Sequence, residues 1–436
     1  MVNHGAVPQR VPAIVRELEQ QFQRGRVGGQ LEQQPDELEQ QCGFPGGLTL
    51  PTSRREERAV EVSGMRCPAL REINEKPPFG RQSPKTGGSM KRYGNLLEGT
   101  FTRESLFQAY LDARQGKRGK RACFEFETNL GGELDAIFWE IHSGFYRPRP
   151  YKTFWVREPK PRLIHAPHFR DRVVQHAIYR TIYPIFDRTF ISTSFACRIG
   201  YGTHKASEYT QQALRSCDPD SYTLKLDVRK FFYSIDRNIL RLLIEAKIKD
   251  QRLCELMMRF AETDGPVGIP IGNLLSQLYA LIYLNPLDHY IKRALKVKHY
   301  VRYVDDFVLI GLTRRQCLDC RQRLTEFLAD NLRLELSKST IQKVKNGVNF
   351  VGYRTWQQRR LIRKHSLFKF RRRVKQGDHR AVVSLLGHAK GTASLPHLIN
   401  HLKEASYENL PLPKTVRRLY GLPGPRRGSA GAVHAG

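Results

Sequence analysis

The chain has 436 residues, 40% of them hydrophobic and 10% aromatic, which is ordinary for a globular protein with a buried core and two or three domains. Lys and Arg total 73 against 42 Asp and Glu, a formal net charge of +31, which suits a polyanionic partner because phosphate contacts release counterions, and puts nucleic acid ahead of a merely soluble basic protein. The eight cysteines are scattered, and the most apolar stretch, Leu274–Leu287, is interrupted by Ser276, Gln277 and Asn285 and too short for a bilayer; disulfide-built and membrane-spanning classes are excluded, and a cytoplasmic protein is expected.

Residues 1–89 hold 12 basic and 11 acidic residues, so the charge excess belongs to the rest of the chain. They are Gln/Glu-rich from Glu17 to Gln41 and then rich in Gly, Pro and Ser, and Lys76-Pro77-Pro78-Phe79-Gly80 cannot be regular structure. Apart from one short helix over Ala13–Phe22, a largely disordered, low-complexity extension is expected, with ordered patterning beginning at Met90.

Residues 90–220 read as mostly helical up to Gly144, one helix beginning at Ser105 with Leu106, Tyr110 and Leu111 inward and a second spanning Leu130–Ile141. Tyr151–Val156 and Arg162–Ala166 read as a strand pair, and Arg172–Phe186 as a helix with Val173, Val174, Ala177, Ile178 and Ile182 on its apolar face. Residues 221–355 open on Tyr222–Val228, which alternates with period two: Tyr222, Leu224, Leu226 and Val228 share one face, Lys225 and Asp227 the other. Helices follow over Arg237–Ala246 and Asp250–Ala261, then a Gly/Pro loop and a long helix from about Asn273. Tyr300–Tyr303 and Phe307–Ile310 flank Asp305-Asp306 as a hairpin, Arg314–Leu332 is a helix and Val348–Tyr353 a strand. Cys317 and Cys320 form a lone CxxC inside that helix, read as structural because no second pair follows at zinc-site spacing. Residues 356–422 are basic and helical, and residues 423–436 are a Pro/Gly-rich tail expected to be disordered. The fold class is α+β.

Phosphoryl transfer requires charge neutralisation at the attacking and leaving oxygens, which two hard cations roughly 4 Å apart supply when carboxylates from separate strands converge. Asp227 at a strand end and Asp305-Asp306 at a hairpin tip have that disposition. Tyr303-Val304-Asp305-Asp306 alone is a modest signal, since Asp-Asp is also good turn chemistry. Its apolar flanks, Val301, Tyr303 and Phe307–Ile310, strengthen it, as do Phe231 and Phe232 shortly after Asp227.

These segments, in this order, resemble the prokaryotic reverse transcriptases related to group II introns, from about Met90 to about residue 410. Asp227-Val228-Arg229-Lys230-Phe231-Phe232 with Asp236 resembles the first palm motif, Ile271-Gly272-Asn273-Leu274-Leu275-Ser276-Gln277 the second and Tyr303-Val304-Asp305-Asp306 the third. Lys338 stands where a motif lysine is expected, and Val348–Tyr353 resembles the palm–thumb junction. Upstream, Pro159–Ile164, Arg170–Val174 and Ser194–Arg198 with Gly200, Gly202 and His204 resemble the fingers motifs.

The resemblance implies a right-hand polymerase: fingers with the start of the palm over 90–220, palm with inserted helices over 221–355, thumb over 356–422. It implies RNA-directed DNA synthesis with two Mg2+ ions, Mn2+ as a substitute, held at Asp227, Val228, Asp305 and Asp306. It further implies nucleotide binding by Lys160, Arg162, Arg172, Phe231, Phe232, Gly272, Gln277 and Lys338, and template–primer binding by Ile271, Lys369, Arg371, Arg372 and Arg373. Arg170 belongs with the triphosphate candidates. Each basic residue has an alternative as an ion-pair partner or a solvated charge, and at least one of Phe231 and Phe232 is expected in the core. The partners implied are template RNA, a DNA primer or cDNA, and deoxynucleoside triphosphates.

Ile271 and Gln277 stand where most such enzymes have Gln and Pro. That variant, with Arg92-Tyr93-Gly94-Asn95-Leu96 and Gly387-His388-Ala389-Lys390, resembles the reverse transcriptases of diversity-generating retroelements. Those copy a template repeat RNA, misincorporate opposite adenine and work with a small basic accessory protein. The alternatives are a retron, abortive-infection or CRISPR-linked reverse transcriptase, or a catalytically dead nucleic-acid-binding relative.

Overall fold

The computed structural model describes residues 91–157, 161–265, 267–404 and 413–422; the expectations for residues 1–89 and 423–436 lie outside the described residues. Helices α1 (Leu96–Thr100), α2 (Arg103–Arg114), α3 (Arg121–Glu127) and α4 (Leu130–His142) come first, then the antiparallel pair β1 (Lys152–Val156) and β2 (Arg162–Ala166). Thr102 caps α2 by accepting from Ser105 N. Leu106, Phe107, Ala109 and Tyr110 of α2 are buried, as is the expected face of α5 (Phe169–Asp187), Val173, Val174, Ala177, Ile178 and Ile182. Leu111, expected inward, is only half-buried; Phe107 and Ala109 take the inner face instead.

After α6 (Thr203–Arg215) comes a four-stranded antiparallel sheet in the order β4-β5-β3-β6, built from β3 (Tyr222–Val228), β4 (His299–Tyr303), β5 (Asp306–Leu312) and β6 (Leu336–Lys343). Between β3 and β4 lie α7 (Phe231–Ser234), α8 (Arg237–Glu245), α9 (Gln251–Arg259) and the long α10 (Leu274–His289). Helix α10 is buried on nearly every side, from Leu275 to Asp288. Its apolar run is therefore core, and among the described residues no helix is long and apolar enough to cross a membrane. Helix α11 (Arg314–Leu332) begins in a capping box of Thr313 and Gln316 and buries both Cys317 and Cys320. Burial pushes the Cys317 thiol up to about 11, as it does for a thiol packed among apolar side chains.

The strand expected over Val348–Tyr353 is two strands, β7 (Val348–Phe350) and β8 (Tyr353–Thr355), which pair with β9 (Arg360–Ile362). Val351 and Gly352 at φ +43° and +92° turn the chain between them. A Cβ on Gly352 would also stand 2.9 Å from His388 Cε1, so glycine is required twice over. The carboxy-terminal helices α12 (Lys364–Lys375), α13 (His379–Ala389), α14 (Leu395–Glu404) and α15 (Lys414–Leu419) close over their own core, including Phe370, Val382, Leu386, Leu398 and Leu402. His388 stacks on Tyr353 at 4.4 Å, and Tyr353 also meets His204, which gives the Gly387-His388-Ala389-Lys390 segment a packing role.

Arg92-Tyr93-Gly94-Asn95-Leu96 has a packing role as well. Tyr93 N donates to Lys247 O and Lys249 N to Tyr93 O, while Asp250 Oδ2 accepts from both Leu96 N and Leu97 N at 2.8 Å. Asp250 Oδ1 accepts from Leu253 N at 3.2 Å, so one carboxylate caps α1 and α9 together. Asp250→Ala is expected to destabilise the protein by about 1–4 kcal/mol, the sum of two caps, read from urea unfolding midpoints. A change below about 0.5 kcal/mol would show the double cap to be dispensable.

Candidate active site

Alternation in β3 buries Leu224, Leu226 and Val228 and leaves Lys225 and Asp227 on the other, half-open face. The register sets Asp227 opposite Asp306 on one side and opposite Lys338 on the other. Tyr303 pairs with Asp306, leaving Val304 and Asp305 as the turn. Val304 sits at φ +56°, strained backbone for a β-branched residue and worth roughly 1–3 kcal/mol. The turn is held at both carbonyls: Arg302 Nη1 donates to Val304 O at 3.0 Å, and Val228 N to Asp305 O at 3.2 Å. All three expected carboxylate residues thus meet at one end of the sheet.

Lys225 Nζ lies 2.7 Å from Asp306 Oδ2 and 2.8 Å from Asn349 O, and Ser337 Oγ donates to Asp227 Oδ2 at 2.6 Å. Burial pushes the Asp306 carboxyl up to about 6, with Lys225 opposing and the charges of Asp227 and Asp305 adding. Among the described residues no three His, Cys, Asp or Glu side chains are gathered into a metal-ligand group. Converging anions repel, and here Lys225 and Ser337 engage two of the oxygens instead. The donors nevertheless suit a hard divalent cation. They are carboxylate oxygens, and Asp306 Oδ1 is buried without a hydrogen-bond partner. Lys225 was legible as the cofacial neighbour of Asp227; Ser337 and the Asn349 carbonyl carried no signal in the sequence.

Lys230 at φ +43° ends β3 and starts the short α7. Phe231 is then 2% exposed and packs on Tyr283, so it is a core residue and the expectation of a nucleotide contact is corrected. Phe232 remains half-buried. In the second motif, Ile271 O accepts from His165 N at 2.7 Å, which docks the loop on β2. Gly272 has φ +107°, and a Cβ there would stand 2.7 Å from Ile164 Cγ2. Close packing against β2 and the positive φ therefore both require glycine here. Asn273 caps α10 through Leu275 N and holds Phe260 O, leaving Gln277 exposed on the first turn.

Arg162 is exposed and Arg172 half-buried. Arg170 is not a free phosphate ligand: its guanidinium pairs with Glu140 at 2.8 Å and Glu133 at 3.2 Å, with its side chain 5% exposed. Lys160 lies outside the described residues. On α12, Arg372 is exposed, Arg371 meets His397 and Arg373 pairs with Asp378 at 3.2 Å.

Residues 156–355 match the family model described as "Reverse transcriptase (RNA-dependent DNA polymerase)". Among curated proteins, the chain is 25% identical to Protein YkfC of Escherichia coli K12, covering 56% of this chain and 74% of that one. It is 22% identical to the group II intron-encoded protein LtrA of Lactococcus lactis subsp. cremoris, covering 51% of this chain and 49% of that one, so it spans about half of LtrA. Among solved structures, telomerase from Candida albicans aligns over 63% of this chain and 66% of that one, with 10% identity and a TM-score of 0.38.

Proposed function

We propose that the chain is an RNA-directed DNA polymerase of right-hand fold that copies an RNA template into cDNA at the sheet end where Asp227, Asp305 and Asp306 meet, a reading supported by the reverse transcriptase model matched over residues 156–355. The observation that carries this reading is the Asp227–Asp306 register beside a two-residue turn bearing Asp305. Two Mg2+ ions, or Mn2+ in their place, held by these carboxylates and the adjoining Val228 carbonyl, would neutralise the charge that develops on the transferred phosphoryl group. Arg162, Arg172 and Lys338 are proposed to bind the triphosphate, and Phe232 and Gln277 to line the nucleotide position. Lys369, Arg371 and Arg372 are proposed to hold template–primer phosphates, which suits the large positive charge. Residues 90–220, 221–355 and 356–422 are the proposed fingers, palm and thumb. Primer extension on an RNA template with Mg2+ tests the reading; absence of synthesis by the full chain would overturn it.

Within reverse transcriptases we place the chain with the diversity-generating type, acting with a small basic accessory protein. Ile271 and Gln277 support this, since an apolar residue replaces an amide in the loop that leads from α9 into α10 and docks on β2. A lost polar contact beside the nascent base pair weakens base discrimination. With its own RNA and accessory protein, the enzyme is expected to misincorporate far more opposite adenine than opposite other bases. Ile271→Gln is expected to lower that bias about tenfold, equivalent to ~1.4 kcal/mol and within the reach of one hydrogen bond. The readout is errors per product sequenced, not yield; equal error at all four template bases in the unmodified enzyme would remove this subtype.

A further inference from the structure

Arg302 and Asp288 are both wholly buried, and neither belongs to the carboxylate set. Arg302 Nε donates to Asp288 Oδ1 at 2.7 Å and Nη2 to Oδ2 at 2.5 Å. Tyr300 OH adds a third bond to Asp288 Oδ1 at 2.7 Å. A pair so deep is weak evidence of stabilisation, because an apolar pair of similar volume fills a core as well or better. What distinguishes this one is its remaining nitrogen, Nη1, which donates to Val304 O at 3.0 Å. That carbonyl belongs to the peptide leading into Asp305, in a turn whose backbone is otherwise strained.

The support has a fixed origin. Asp288 lies at the end of α10, the helix whose first turn carries Gln277. The backbone of Arg302 is locked from the outer side of β4 as well, Arg302 N donating to Thr193 O at 3.0 Å and Phe195 N to Arg302 O at 3.0 Å. The guanidinium of Arg302 therefore ties the carboxylate turn to the central helix, while its main chain ties β4 to the 193–195 segment. Lysine has no such fork and could not serve Asp288 and Val304 together.

We propose that Arg302, held by Asp288 and Tyr300, is a positioning residue that fixes the Val304 carbonyl and thereby the placement of Asp305 in the active site. This rests on the polymerase reading above. The test uses the full chain carrying Tyr300→Phe, Arg302→Met and Asp288→Leu together, which removes both charges and the hydroxyl they satisfy while keeping the core filled. The protein is expected to remain folded, with kcat for primer extension lowered about 10–100-fold, as for a small misplacement of a reacting group. KM for the nucleotide should stay within about twofold, since uniform binding is untouched. Mn2+ affinity, measured by electron paramagnetic resonance against Asp305→Asn as control, should fall at least about fivefold.

A folded variant with unchanged kcat and Mn2+ affinity would reduce the pair to core packing and overturn the proposal. Should the triple variant not fold, Arg302→Lys supplies the same two readouts, with losses expected in both and unchanged values overturning the idea. If the unmodified chain binds Mn2+ but extends no primer, the polymerase reading fails, and the Mn2+ comparison alone still decides whether Arg302 positions the carboxylates.

Discussion

Asp305→Asn is expected to abolish Mg2+-dependent DNA synthesis on an RNA template while leaving the fold intact. The amide keeps the size of the carboxyl group and loses its charge, so the loss should reach at least about 10³-fold, or ~4 kcal/mol of transition-state stabilisation. The turn survives the exchange because it is tied through main-chain carbonyls, Val304 O to Arg302 and Asp305 O to Val228 N. Asp306→Asn would be a less clean test. Its carboxylate is paired with Lys225 at 2.7 Å, both side chains only 23% exposed, and neutralising it leaves a partly buried ammonium without its counter-charge. Single-turnover primer extension, with circular dichroism as the fold control, gives the answer; full activity in a folded Asp305→Asn protein would sink the catalytic assignment.

Phe232→Val is expected to admit ribonucleotides, shifting the deoxy-to-ribo ratio of kcat/KM by about 10²-fold, or ~2.7 kcal/mol. The reasoning is exclusion: a ring under the incoming sugar collides with a 2′-hydroxyl, and a smaller side chain removes the collision. Burial of Phe231 at 2% exposure supplies the internal control. Phe231→Val should cost about 2–4 kcal/mol of stability through the cavity it leaves and should not alter sugar choice. An active Phe232→Val enzyme with its sugar preference unchanged would move the gate elsewhere.

The helices and paired strands with strong periodicity were legible from the residues, and β2 and α11 run over the spans expected, Arg162–Ala166 and Arg314–Leu332. Strand β6 was not legible. Its Ser337, Lys338, Ser339 and Thr340 are all exposed, so an edge strand rich in polar residues shows no alternation to read. The break inside Val348–Tyr353 was hidden because an apolar run does not reveal where φ turns positive. The site divided in the same way. Sequence order placed Asp227, Asp305 and Asp306 at strand ends. Which of two adjacent rings faces the core, and which arginines are spent on Glu133, Glu140 or Asp378, depends on partners distant in the chain.

The cap that Asp250 provides spans 154 residues of sequence, which has a consequence during synthesis on the ribosome. At roughly 5–20 residues per second, the carboxylate that fastens Leu96 and Leu97 is made on the order of 8–30 s after them. Through that interval the emerging segment has neither its cap nor its bridge from Tyr93 to Ile248, and the apolar faces of the first helices lack part of their final cover. Closing so long a loop adds an entropic cost that grows only with the logarithm of its length. The delay is therefore set by translation and not by the search for contact, and the nascent chain passes through a stage in which chaperone binding competes with folding.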